Sequence, residues 1–209
     1  IIAPMVAARN KDIAFIVLLA GTGLRGDQIL LQQQDLIAKV AGINEEDIKK
    51  AQSANEGAFN IVLQSTDTKQ LETDLSDYLK QILKDVPESK KGMPDDDFVK
   101  AAIKDLTNPW MQYFIKYDPA PALEKVKCPV LALNGEKDLQ VPAKVNLDAI
   151  KAALTKGGNK QVTTKTFAGL NHLFQECTTG LMTEYATIEQ TFSPVVLNEI
   201  LTWIKAQIK

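Results

Sequence analysis

The chain contains a single histidine, His172, among 209 residues, so any imidazole chemistry it performs rests on one side chain. His172 stands in the stretch Ala168-Gly-Leu-Asn-His172-Leu-Phe174, and Asp138 stands in Asn134-Gly-Glu-Lys-Asp138-Leu-Gln-Val-Pro142. Each stretch follows a β-like run, and open α/β sheets place their ligands beyond the C-terminal ends of strands. An acid and an imidazole brought together there form a base and its orienting carboxylate. The carboxylate selects the imidazole tautomer and stabilises the imidazolium formed when a nucleophile gives up its proton. Two cysteines and one histidine supply no disulfide framework and no zinc-type ligand cluster. No metal or organic cofactor is implied.

Other residues compete for roles around this pair. Glu136 and Asp148 are alternative orienting acids. Cys128, ahead of Pro129, reads as a small buried hydrophobe at a strand entry. Cys177 lies five positions beyond His172, but no neighbour in sequence would lower its pKa, so a packing role is expected. Trp110, Phe114 and Tyr117, together with Met111, could line an acyl or aromatic pocket, or equally pack one layer against another. Gly21-Thr-Gly23 lacks the following Gly-Lys-Ser/Thr of a phosphate loop.

The elements that must position these groups follow from hydrophobic spacing. Ile13–Ala20 and Pro129–Asn134 are short continuous apolar runs between turn residues, as expected of strands buried on both faces of a parallel sheet. Gln161–Ala168 is β-branched and alternating, as at a sheet edge. Ahead of the first strand, Ile1, Ile2, Met5, Val6 and Ala8 fit one buried helix face, with Pro4 tolerable in the first turn. Residues 25–117 are helical in pattern. Asp27 is expected to cap a helix ending at Gly42, and Asn44 with Asp47 resembles a capping box. Leu71, Leu75, Tyr78, Ile82 and Leu83 mark a third helix stopping near Pro87. Lys90–Lys91 belongs to a loop, and Asp95–Asp97 places negative charge in the first turn of a fourth helix. Ser193-Pro194 opens a last helix whose core face is expected to be Val196, Leu197, Ile200, Leu201 and Ile204. The order is strand, helical insertion, strand, helix, strand, helix: an α/β chain with a parallel sheet.

The segment from Tyr117 to Asp138 resembles the acid-bearing strand and loop of the α/β-hydrolase superfamily, and Gly169-Leu-Asn-His172 resembles its histidine loop. The chain is similar in particular to bacterial capped serine hydrolases related to esterases and serine-aminopeptidase-like enzymes. There a nucleophile elbow, Gly-x-Ser-x-Gly-Gly, runs into a helix like Ile2-Ala-Pro-Met-Val6 and a strand like Phe15-Ile-Val-Leu-Leu19. The resemblance covers nearly the whole chain and is specific only at the two loops and the first 20 residues. The family's order is serine, acid, histidine, which makes Asp138 the orienting acid and His172 the general base. The serine has no match: Ser53, Ser65, Ser76, Ser89 and Ser193 all lack the flanking glycines of an elbow.

The resemblance therefore implies the C-terminal portion of an α/β hydrolase: the last three strands and their flanking helices at 1–24 and 118–209, and a helical cap at 25–117. The nucleophile and oxyanion hole would lie upstream of Ile1, leaving this chain inactive alone. The implied activity is cleavage of a small-molecule carboxylic ester. Alternatives are a peptidase, thioesterase or acyltransferase on the same fold, or a non-catalytic association module. Expected partners are the N-terminal half of the hydrolase core, or a second copy paired along an exposed sheet edge. A net charge of −2, from 24 basic and 26 acidic residues, leaves no electrostatic footprint for nucleic acid. The longest apolar run, Ile13–Ala20, is far short of the roughly 20 residues that cross a bilayer.

Overall fold

A computed structural model describes residues 1–86 and 92–208. The expected helix stop near Pro87, the Lys90–Lys91 loop and Ser89 lie outside these residues. Two compact units are formed, one from Ile1–Ile43 with Asp118–Lys209, the other from Asn44–Tyr117. The first carries a parallel sheet in the order β1 (Ile16–Leu19), β2 (Val130–Gly135), β3 (Val162–Phe167). Ile16 pairs with Val130, and Val130 with Val162. The chain is thus of the mixed α/β class.

Strand alternation sends the side chains of β1 and β2 to two faces. On one, Ile16, Leu18, Val130 and Ala132 pack with Leu147, Ile150 and Leu154 of α8 (Ala143–Lys156). On the other, Leu131, Leu133 and Phe167 pack with Val196 of α9 (Pro194–Gln207). β2 is buried at every position, in keeping with its apolar run Val130–Leu133, and its one polar side chain, Asn134, is hydrogen-bonded. Burying a leucine or valine side chain contributes about 1.5–3 kcal/mol, so this central strand anchors both layers. β1 is shorter than its apolar run and lies at an edge, with Leu19 46% exposed.

Two helix faces differ from the sequence reading. In α1 (Ile2–Arg9), Ala3, Pro4, Ala7 and Ala8 turn inward, whereas Ile2 and Val6 are exposed. Small residues at i and i+4 allow close approach to the sheet, and the bulky side chains point away. In α9, Val196, Ile200 and Trp203 face the core, while Leu197 and Leu201 are exposed. Both helices are apolar on more than one side, so periodicity alone does not select the buried stripe. Helix α2 (Gly26–Val40) groups with the sheet-bearing unit. Asp27 lies inside its first turn and not at its cap, because its carboxylate receives the Arg25 guanidinium at 2.6 and 2.8 Å.

The second unit contains α3 (Glu45–Gln64), α4 (Thr68–Leu83), α5 (Asp95–Leu106) and α6 (Pro109–Lys116). Asn44 caps α3 by accepting from the Asp47 amide at 3.0 Å, and its amide returns a bond to the Asp47 carboxylate at 2.8 Å. Asp67 caps α4 through the Gln70 amide at 2.8 Å. Leu71, Leu75, Leu79 and Leu83 form the buried seam of α4, spaced at one turn. Asp95–Asp97 occupy the first turn of α5, where they complement the helix dipole. In the first unit, Ser193 precedes α9 with Pro194 in its first turn. The short helix α7 (Ala120–Leu123) leads towards β2.

Candidate functional site

The site is assembled where β2 and β3 end. Pairing continues past the strands: the Glu136 amide donates to the Phe167 carbonyl at 2.8 Å and the Lys137 amide to the Leu170 carbonyl at 2.9 Å. The Glu136 carboxylate accepts from the Gly169 amide at 2.9 Å. Gly135 lets the two loops touch, since a Cβ there would overlap the carbonyl oxygens of Leu170 and Asn171. Gly169 has φ +71°, a conformation that L side chains rarely adopt.

Asn171 then shapes the turn that presents His172. Its buried side-chain oxygen accepts from the amides of Leu173 at 2.9 Å and Gln175 at 3.0 Å. Its Nδ2 donates to Gln175 Oε1 at 3.0 Å. Phe174 follows with φ +58°, an uncommon conformation for a bulky residue, and its side chain is buried against Phe167 and Phe192.

This geometry places His172 Nδ1 2.9 Å from Asp138 Oδ2. The Asp138 side chain is fully buried, whereas 27% of the His172 side chain is exposed. A buried carboxylate is costly unless its lone pairs are filled. Here Oδ1 accepts from the amides of Gln140 at 2.9 Å and Val141 at 2.8 Å. Oδ2 accepts from Asn134 Nδ2 at 3.1 Å as well as meeting His172. Asn134 also donates to the Val141 carbonyl at 2.7 Å. Both contacts need its NH₂ group, so the amide orientation is set by its partners. With Nδ1 facing a carboxylate, the imidazole carries its proton there and leaves Nε2 as the basic nitrogen.

Asp138 and His172 are therefore brought together, and the alternative acids are not. Glu136 is engaged with Gly169, and Asp148 pairs with Lys144 at 2.8 Å on α8. Burial pushes the thiols of Cys128 and Cys177 above the usual range, and Glu184 adds to the effect at Cys177. Neither is poised as a nucleophile. Trp110, Phe114 and Tyr117 belong to the helical unit. There Trp110 stacks with Tyr113 and Phe114, and Tyr113 with Tyr117 at 5.6 Å. Gly23 is no phosphate loop residue: its amide donates to Asn146 Oδ1 at 2.8 Å, and a Cβ would collide with the backbone of α8. Among the described residues no group of three or more His, Cys, Asp or Glu side chains is placed to hold a metal ion. No helix among them is long and apolar enough to cross a membrane.

His172 opens onto a pocket of about 540 Å³ whose lining includes Leu19, Ala20, Phe174, Ile188, Glu189 and Phe192. Ala20 enters it from the end of β1 with φ +47°. Ile188 and Glu189 come from a loop absent from the sequence-based list. Its ends are pinned where Gln175 Nε2 donates to the Gln190 carbonyl at 2.9 Å and the Glu176 amide to Gln190 Oε1 at 2.8 Å. Its middle is fastened to the acid loop by Lys137 Nζ donating to the Thr178 carbonyl at 2.8 Å and Gln140 Nε2 to Tyr185 Oη at 2.9 Å. The loop lacks a strand or helix period. Its one sequence signal is its length between His172 and the Ser193 cap. No family model, no curated protein and no solved structure matches the chain.

Proposed function

We propose that the chain carries the acid and base of a serine hydrolase of the α/β-hydrolase kind, acting on carboxylic esters. Asp138 orients His172 and stabilises its protonated form, and His172 takes the proton from a serine supplied upstream of Ile1. His172 then returns that proton to the leaving alcohol, and the same steps with water release the acid. The observation that carries the reading is the contact between a solvent-reachable imidazole and a fully buried carboxylate at the C-terminal ends of adjacent parallel strands.

A fluorophosphonate probe tests it. The chain alone is expected to remain unlabelled, and the chain joined to its upstream segment is expected to label once, at an upstream serine. Stoichiometric labelling of Ser53, Ser65, Ser76, Ser89 or Ser193 would overturn the proposal. Because His172 is the only histidine, its ring can also be read without assignment. A far-downfield Nδ1 proton is expected, and it should vanish in Asp138→Asn.

A second reading, association through the sheet edge, is favoured by β1. This strand is apolar, uncharged and free on one side, without the lysines or prolines that usually blunt such edges. Exposed Leu19 lies at its end. Light scattering separates the outcomes: self-association supports this reading, and a monodisperse, cooperatively unfolding monomer counts against it.

A further inference from the structure

The lining of the His172 pocket is asymmetric in charge. It is apolar at Leu19, Ala20, Ile188 and Phe192, and among the described residues it includes no Lys or Arg and one acidic residue, Glu189. Glu189 is exposed and makes no hydrogen bond or ion pair among the described residues, in contrast to Glu136, Glu184 and Glu199. Glu136 and Glu184 accept backbone amides, and Glu199 pairs with Lys165. Glu189 precedes Gln190, whose bonds to Gln175 and Glu176 anchor the loop backbone there. The pocket therefore presents an unneutralised negative charge beside an apolar wall and a candidate base. Asp138, behind the imidazole, adds to the same sign.

We infer that this pocket selects substrates that join an apolar group to a cationic one, such as an ammonium, and discriminates against anionic substrates. The inference rests on the reading of His172 as the base. It also separates the chemistries that share this scaffold. Esters or amides bearing an ammonium group fit the pocket, whereas acyl thioesters of a polyphosphorylated carrier would meet two negative charges and no cation. A like charge in a partly enclosed pocket is repelled, and an opposite charge is attracted, with modest magnitudes where solvent has access.

The test uses the chain itself and three probes of one shape: 3-phenylpropylammonium, 3-phenylpropanamide and 3-phenylpropionate. The proton resonances of the sole imidazole report binding at neutral pH and low salt. The ammonium is expected to bind about fivefold more tightly than the carboxylate, with the amide between them. In Glu189→Gln, an exposed and conservative change, the three affinities should converge. Equal or tighter binding of the carboxylate would overturn the inference, as would a preference that survives Glu189→Gln or the absence of any response to all three probes. Failure of the triad reading is registered separately, by the absence of the downfield Nδ1 proton in the unliganded chain.

Discussion

The two units of this chain treat polar groups in opposite ways. Every polar side chain buried among the described residues, from Asp27 and Asn134 to Gln175 and Ser193, lies in the sheet-bearing unit. The helical unit buries leucines, isoleucines, valines, Ala58 and Phe59, and its polar contacts are exposed or only partly buried. Many of those contacts are local, as in Asn44 with Asp47, Gln70 with Asp74 and Lys50 with Glu46, and a few link helices, as in Tyr78 with the Ala54 carbonyl and Lys116 with the Ser65 carbonyl. The sheet unit's contacts span the chain, as in His172 with Asp138, Asn146 with Gly23, and Asn159 with the carbonyls of Val126 and Cys128. A buried polar group is tolerated only when its partners are supplied with good geometry. Four of these groups, Asn134, Asp138, Asn171 and Gln175, occupy the two strand-end loops. The difference teaches that in the sheet unit polarity specifies loop geometry, whereas in the helical unit it decorates a surface.

That contrast can be attacked directly, and Asp138→Asn is the strongest blow. The fold should persist, because an amide can still accept from the Gln140 and Val141 amides. Hydrolysis by the complete enzyme should fall by about four orders of magnitude, as expected when the imidazole loses its orienting carboxylate. Steady-state kinetics on p-nitrophenyl esters would register it, and a loss below tenfold would mean that Asp138 does not orient the base. In the helical unit the large effects should be on stability instead. Leu75→Ala, at a fully buried seam position, is expected to cost about 2–5 kcal/mol in urea unfolding while leaving the His172 resonances unchanged.

Asn171→Ala probes whether polar groups shape the site. It strips the acceptor from the Leu173 and Gln175 amides, so a cost of about 1–3 kcal/mol is expected, with a shifted His172 spectrum. An unshifted spectrum would show that the turn holds without it. The smallest effect is expected at the exposed Lys50–Glu46 pair. Lys50→Ala should leave the melting temperature unchanged within measurement, because such surface pairs contribute little.

These same differences explain what could be read ahead of the structure. The Asn44 cap, the one-turn spacing of Leu71 and Leu75, and the alternation of β3 are written over neighbouring residues, and each formed as expected. Asp138 and His172 were legible as strand-end groups of complementary chemistry. The loop carrying Ile188 and Glu189 was not, because its ends are held by Gln175 and Gln190, which follow no local period. The orientations of α1 and α9 also escaped. Their apolar residues encircle the helix, and only the position of the sheet decides which side is buried.

By itself the sequence determined the α/β order, the apolar central strand, the Asn44 cap and the one residue able to act as an imidazole base. Those properties depend on residue type and short-range spacing, which survive without knowledge of the fold. Tertiary structure brought Asp138, the acid expected from the sequence, against His172 and engaged Glu136 and Asp148 elsewhere. It also decided that Ala20 and Phe174 take left-handed conformations, and that a free carboxylate faces the same pocket. Each of these depends on where two strand ends are placed side by side, and a parallel sheet sets that through pairings between segments far apart in the chain.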